Sequence, residues 1–130
     1  MNITSERLQL TEIVWDDLDD IHWLHSFPEV DEFNTLGIPG NKEVTRQIMQ
    51  PTIEDQGSEK RKEYQWSIRK KDDLQFIGLA GMMVNVERFR MAEIFYKLAP
   101  QFWGIGYATE TARALLQFGF ETLNLHRIEA

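Results

Sequence analysis

The sequence contains no cysteine. That excludes disulfides, thiolate-held zinc and any cysteine nucleophile with its covalent intermediates. No stretch reaches the length of a membrane-spanning helix, and Met1-Asn2-Ile3-Thr4 has neither the basic start nor the apolar core of a secretory signal. The cytoplasm is the expected compartment, and no membrane partner is expected. Positive charge is in deficit: 14 Lys and Arg stand against 21 Asp and Glu, a formal charge of −7. A nucleic-acid partner is therefore not expected, since such binding works by neutralising phosphates, whereas a cationic acceptor is compatible. Internal repeats, low-complexity tracts and linkers are also missing. With 130 residues, 42% hydrophobic and 27% charged, the chain reads as one domain, 1–130, with a sizeable core.

What is present is organised around residues 93–120. Met91 to Leu98 alternates, Ala92, Ile94, Tyr96 and Leu98 on one face and Glu93, Phe95 and Lys97 on the other, the period of a strand. Pro100 cannot continue a ladder and stops it. From Tyr107 onward Ala108, Ala112, Leu115, Leu116, Gly119, Phe120 and Leu123 recur at three- and four-residue steps, predicting an amphipathic helix with Glu110, Arg113, Gln117 and Glu121 on its polar face. Gly104 and Gly106 between them permit positive φ and close approach of a ligand to the backbone. The first amides of the helix, around Gly104 to Ala108, have no intrahelical acceptor and lie at the positive end of the dipole, so they can hold a phosphate without a basic side chain. A bare Gly-x-Gly also merely closes tight turns. The third glycine of a dinucleotide fingerprint and the Gly-Lys-Ser/Thr of a P-loop are both absent.

The segment resembles the acetyl-CoA-binding motif of the GNAT superfamily of N-acetyltransferases, Gln/Arg-x-x-Gly-x-Gly/Ala at a strand-to-helix turn. Trp103 takes the first position, Gly106 the glycine and Ala108 the last. Trp103 departs from the general consensus. The string Phe102-Trp103-Gly104-Ile105-Gly106-Tyr107-Ala108-Thr109-Glu110, after Ala92-Glu93-Ile94 and Leu98-Ala99-Pro100, is nonetheless similar to the branch that acetylates the N-termini of ribosomal proteins, where Trp is usual there. Thr4 to Leu10 and Asn124 to Ala130 resemble that branch too.

The resemblance implies an α/β (α+β) fold, a mixed and mostly antiparallel sheet flanked by helices. It implies acetyl-CoA as co-substrate, no metal, and a direct transfer to an amine: a protein N-terminal α-amine first, a small polyamine or drug-like amine second. A non-catalytic CoA-binding or interaction module is the alternative of another class. The implied cofactor residues are Tyr96, Lys97, Leu98, Trp103, Gly104, Ile105, Gly106, Tyr107, Ala108 and Thr109. In the family, free amides near Tyr96 and Leu98 bond the pantetheine arm, and one polarises the thioester carbonyl.

Transfer needs a neutral amine and a donor for the developing oxyanion. Glu93 is the candidate base, directly or through a water; an ordinary surface Glu is the rival reading. His126 is titratable but reads as structural, and Trp103 packs over the cofactor or under the turn, or is a plain core Trp.

Upstream, Arg7 to Ile13 reads as a half-exposed strand and Trp15 to His25 as a helix with Leu18, Ile21 and Leu24 on one face. Asp16, Asp17, Asp19 and Asp20 with His22 and His25 are better explained by a solvated acidic helix start than by a metal site. Glu29 to Leu36 predicts a short helix. Asn41 caps another, with Val44, Ile48 and Met49 inward until Pro51 interrupts or kinks it, and 54–62 reads as a mobile loop. By resemblance this region shapes the acceptor side, where Glu29, Asp31 and Glu32 can attract a protonated amine or simply form a solvated face. Tyr64 to Arg69 alternates as a strand, Lys71-Asp72-Asp73 turns, and Phe76 to Val84 is an apolar strand buried on both faces whose Gly78 and Gly81 mark a bulge or a close approach. Asn85 to Phe89 leads on from it, making an antiparallel meander. Leu125 to Ala130 looks like the start of a strand beside Met91–Leu98; the family then continues with a helix and two strands carrying an Asn contact and, in many members, a Tyr that protonates the leaving thiolate. The expectation is a truncated form, or a second copy completing the sheet.

Overall fold

The computed structural model describes residues 1–31, 37–85 and 90–130. Six strands form one sheet in sequential order: β1 (Ile3–Thr4), β2 (Leu8–Glu12), β3 (Glu63–Lys70), β4 (Phe76–Asn85), β5 (Met91–Leu98) and β6 (Arg127–Glu129). Neighbours are antiparallel except β6, which runs parallel to β5. The mixed, mostly antiparallel sheet agrees with the expectation. The two-residue β1 was not foreseen; it is too short for periodicity to register.

The period of two sends alternate side chains to different layers. Tyr64, Trp66 and Met82 face α4 (Tyr107–Gln117) and the π-helical turn Phe118–Thr122 that prolongs it. Phe118 packs edge-on against Trp66 and Tyr64, at 5.3 and 5.7 Å between ring centroids. Leu8, Leu10 and Ile68 are fully buried, each contributing roughly 2 kcal/mol of apolar burial. The opposite parity faces α1 (Leu18–His25) and α3 (Lys42–Asp55): Arg69 reaches Asp17 and Asp20, Gln65 reaches Thr52, and Lys97 reaches His25. Gly81 is a close approach and not a bulge, since a Cβ there would stand 2.1 Å from the Phe95 ring. Gly78 is both: a Cβ there would stand 2.1 Å from the Lys97 carbonyl, and it adjoins the register shift, where Ile68 pairs with Gly78 and Arg69 with Phe76.

Several helical expectations need correction. Trp15–Asp17 is a 3-10 turn leading into α1. Its acidic cluster is not simply solvated: Asp17 is buried, and Arg69 binds it and Asp20, each at 3.0 Å. α2 covers only Pro28–Asp31; the remainder of the predicted 29–36 helix, including Glu32, and residues 86–89 lie outside the described residues. In α3, Thr45, Met49 and Thr52 are buried while Val44 is exposed, because Thr45 bonds His22 Nδ1 at 2.7 Å and turns that line inward. Pro51 does not end α3, which runs on to Asp55. The following segment is pinned where Asp55 Oδ2 accepts the amides of Lys62 and Glu63 at 2.8 and 2.7 Å. On α4 the inward line is Thr111, Ala114, Leu115 and Phe118, while Leu116 and Phe120 are exposed. Among the described residues no helix is long and apolar enough to cross a membrane.

Candidate functional site

β6 registers with β5 only at Met91, Ala92 and Glu93. The outer edge of Ile94–Leu98 therefore has no strand partner among the described residues. A cleft of about 520 Å³ opens along that edge. Its floor is Phe95 to Leu98; Glu29 and Val30 of α2 close one side, and Phe102, Trp103, Gly104, Gly106, Ala108 and Thr109 close the other. The cleft is thus reached from both layers. An extended ligand can add to the edge as a strand would, through main-chain hydrogen bonds.

At the far end the chain makes the glycine turn. Gly104 has φ 75° and Gly106 has φ 90°, left-handed positions that only glycine holds without strain. Gly106 caps α4 with no side-chain acceptor on the first amides. Nothing stands within 4 Å of where a Gly104 Cβ would be, so the space before the turn is open. The residues present fit an anion such as a pyrophosphate.

The turn is braced from behind by the segment that leads from β1 into β2. Glu110 accepts the Arg7 amide at 2.7 Å, the Arg7 guanidinium at 2.8 Å and the Ser5 hydroxyl. Arg7 also donates to the Ile105 carbonyl at 3.2 Å and lies over the Tyr107 ring at 4.4 Å. Burial raises the Glu110 pKa, but these donors outweigh it and hold the carboxyl below its ordinary value.

On the α1 face of the cleft sits a different arrangement. Lys97 Nζ is 3.1 Å from Nε2 of His25, which is only 3% exposed. His25 Nδ1 is buried without a hydrogen-bond partner among the described residues. Burial lowers Lys97 to about 8. Burial, then the Lys97 charge and His22, lower His25 to about 4, so it is neutral at pH 7.

Of the residues expected from the sequence, Tyr96, Lys97, Leu98, Trp103, Gly104, Gly106, Ala108 and Thr109 line the cleft together. Ile105 and Tyr107 do not; they are the parts of the turn that Arg7 holds. Tyr96 is not packed into the core with its face-mates but is 40% exposed at the open edge. Trp103 lies half-exposed against the turn and donates Nε1–H to the Leu98 carbonyl at 2.8 Å. Glu93 is exposed, registers with Glu129 of β6 and is outside the cleft lining. His126 is exposed, with its backbone amide on the Arg90 carbonyl at 2.8 Å. Glu29 lines the cleft and Asp31 does not. Among the described residues no group of three or more His, Asp or Glu is placed to hold a metal. Sequence reasoning missed His25 as part of the site and Ser5, Arg7 and Glu110 as its brace. The one available signal was His25 in the last turn of a helix beside the buried Ile21 and Leu24.

The sequence profile of the acetyltransferase (GNAT) domain matches residues 7–130. An uncharacterized N-acetyltransferase, p20, of Bacillus licheniformis is 35% identical over 131 residues, covering 97% of this chain and 70% of its own length. Among solved structures, a spermidine N-acetyltransferase from Vibrio cholerae in complex with CoA and spermine superposes with a TM-score of 0.81 at 23% identity, over 95% of this chain and 70% of that one. A protein from the same organism, provisionally named a ribosomal-protein-serine acetyltransferase, gives 0.78 at 22% identity, over 98% and 71%. These two likenesses bear on the fold.

Proposed function

The chain belongs to the acetyltransferase (GNAT) domain family and is an acetyl-CoA-dependent N-acetyltransferase, and from that premise we propose that its acceptor is the α-amine of a protein N-terminus. In this reading the glycine turn holds the pyrophosphate and the open edge of β5 holds the pantetheine arm. Acetyl-CoA supplies an activated acyl group. The chain's own work is to align it, exclude water and keep the amine unprotonated.

The observation that carries the acceptor reading is Lys97 in the cleft. A half-buried ammonium disfavours a polycation, whose alkyl amines resemble lysine in pKa at about 10.4, and tolerates an α-amine, which titrates near 7.7–8.0. The relative provisionally named a ribosomal-protein-serine acetyltransferase fits this choice. A small polyamine is the second reading, supported by Glu29 on the opposite wall and by the spermidine acetyltransferase likeness.

Release of CoA thiol from acetyl-CoA, followed with peptides bearing free or blocked N-termini and with spermidine, separates the two. Free-N-terminus peptides should be turned over and blocked ones should not; spermidine as the better substrate would overturn the N-terminal reading. Glu93, acting through water since it lies outside the lining, is proposed only as the alternative to a base within the cleft. Glu93→Gln should slow transfer by about tenfold or more and spare CoA binding. An unchanged rate removes Glu93 from the mechanism. Pairing of the β6 outer edge with a second copy is also proposed, and the mass in solution tests it.

A further inference from the structure

Glu93 is four residues from Lys97 on the same strand face, about 13 Å away, while Lys97 itself lines the cleft. Two layers meet at this edge. A thioester arm laid along β5 from the glycine turn leaves the α1 face as the side on which an acceptor meets it, and there Lys97 stands beside Phe95 and Val30. Resting on the reading of the chain as an amine acetyltransferase, we propose that Lys97, backed by His25, is the catalytic base that takes the proton of the acceptor amine.

The pairing suits that task. A lysine whose partner is a carboxylate is held as an ammonium. Here, among the described residues, Nζ meets an imidazole nitrogen that burial keeps neutral, and a neutral ring accepts a hydrogen bond without fixing the charge. With Lys97 near 8, the amine form is accessible at working pH and matches an α-amine for proton transfer. Among the described residues the titratable groups around it are His25 and, behind it, His22 from α1, and Glu29 from α2.

The step balances. The acceptor attacks as the neutral amine: its lone pair forms the N–C bond to the acetyl carbonyl while one of its protons passes to the neutral Nζ of Lys97. The C–S bond breaks with its electron pair going to sulfur. The Lys97 ammonium then gives that proton to the departing thiolate, directly or through water at the cleft mouth, and the second amine proton stays on the amide nitrogen.

The test uses an acceptor whose amine is already neutral, a weakly basic aromatic amine, alongside a peptide. With the aromatic amine, wild-type kcat/KM should rise with pH through about 8, a limb that then belongs to the enzyme alone. Lys97→Met should abolish that limb and lower the rate by roughly 100-fold or more, with acetyl-CoA still raising Tm. Lys97→Arg keeps the charge but cannot give up a proton, so it should be as inactive as the Met variant. His25→Asn should move the limb upward as water reaches Lys97.

A wild-type profile without a limb near 8, or an Arg variant as fast as wild type, overturns the proposal; the first needs no variant to fold. If the wild type acetylates no amine at all, the acceptor reading fails. If it acetylates amines with a profile indifferent to residue 97, only the role of Lys97 fails.

Discussion

The two polar clusters that flank β5, one around Glu110 and one around Lys97, are held in opposite ways. On the α4 side, Glu110 meets three donors from Ser5 and Arg7, and the turn it anchors presents backbone amides with no charged side chain of its own. On the α1 side, Lys97 and His25 share a single contact, and a buried ring nitrogen is left without a partner among the described residues. A satisfied network is what a rigid anion cradle requires. An unsatisfied buried group costs about 1–3 kcal/mol, a cost that Thr111 Oγ1 on α4 bears as well, so it is the pairing of Lys97 with a neutral ring that sets the α1 cluster apart. The comparison bears on the two proposed roles, preorganised binding at one cluster and proton chemistry at the other.

The comparison breaks most directly at the turn. Gly106→Val forces a branched residue to φ 90° and sets a Cβ 3.2 Å from the Arg7 guanidinium, so it disturbs the cradle and the brace behind it together. Acetyl-CoA affinity, read by calorimetry, should fall by about 100-fold or more, the loss of roughly two charge-assisted hydrogen bonds. Affinity within a few-fold of wild type would mean that the anion is held elsewhere.

A second measurement sharpens the contrast by pH. His25 has a folded pKa of about 4 against an ordinary 6.5, so the unfolded chain binds more protons between those values. Its contribution is complete above about 6.5 and is lost as pH falls toward 4, an acid-labile share of roughly 3 kcal/mol. Glu110 is also depressed, but from 4.5, so its share disappears only below that value. Urea denaturation between pH 7 and 4 should therefore show a stability loss that His25→Leu largely removes. A slope unchanged by that substitution would show that His25 does not cause it.

These contrasts explain what could be read from the chain. Pro100, Gly104 and Gly106 act locally, each through its own backbone, so strand end, turn and helix start were legible, and most of the cleft's floor and turn wall with them. The helix stripe is legible at Leu115 and Gly119, both buried, but Leu116 and Phe120 recur as plausibly as Thr111, Ala114 and Phe118; only the seat of Phe118 against Trp66 and Tyr64 separates them. The Lys97 and His25 pair joins residues 72 apart in sequence, and both types read as surface groups on any hydropathy scale. Glu110 and Arg7 were hidden likewise, their contact spanning 103 residues.

The smallest expected effect falls where the two sides join. Trp103 ends the turn region and returns its indole N–H to the last carbonyl of β5, linking the cradle to the strand that carries Lys97. If that tie is its main role, Trp103→Phe keeps most of the ring and removes the donor, costing about 1 kcal/mol and a Tm shift of a few degrees. Acetyl-CoA affinity should change less than about tenfold, since the cradle amides and the Glu110 brace are untouched. A ring packed over the cofactor predicts the reverse pattern: little change in the free protein's melt and a larger loss of affinity. Melting curves with and without acetyl-CoA on the one variant therefore decide whether Trp103 belongs to the frame or to the ligand.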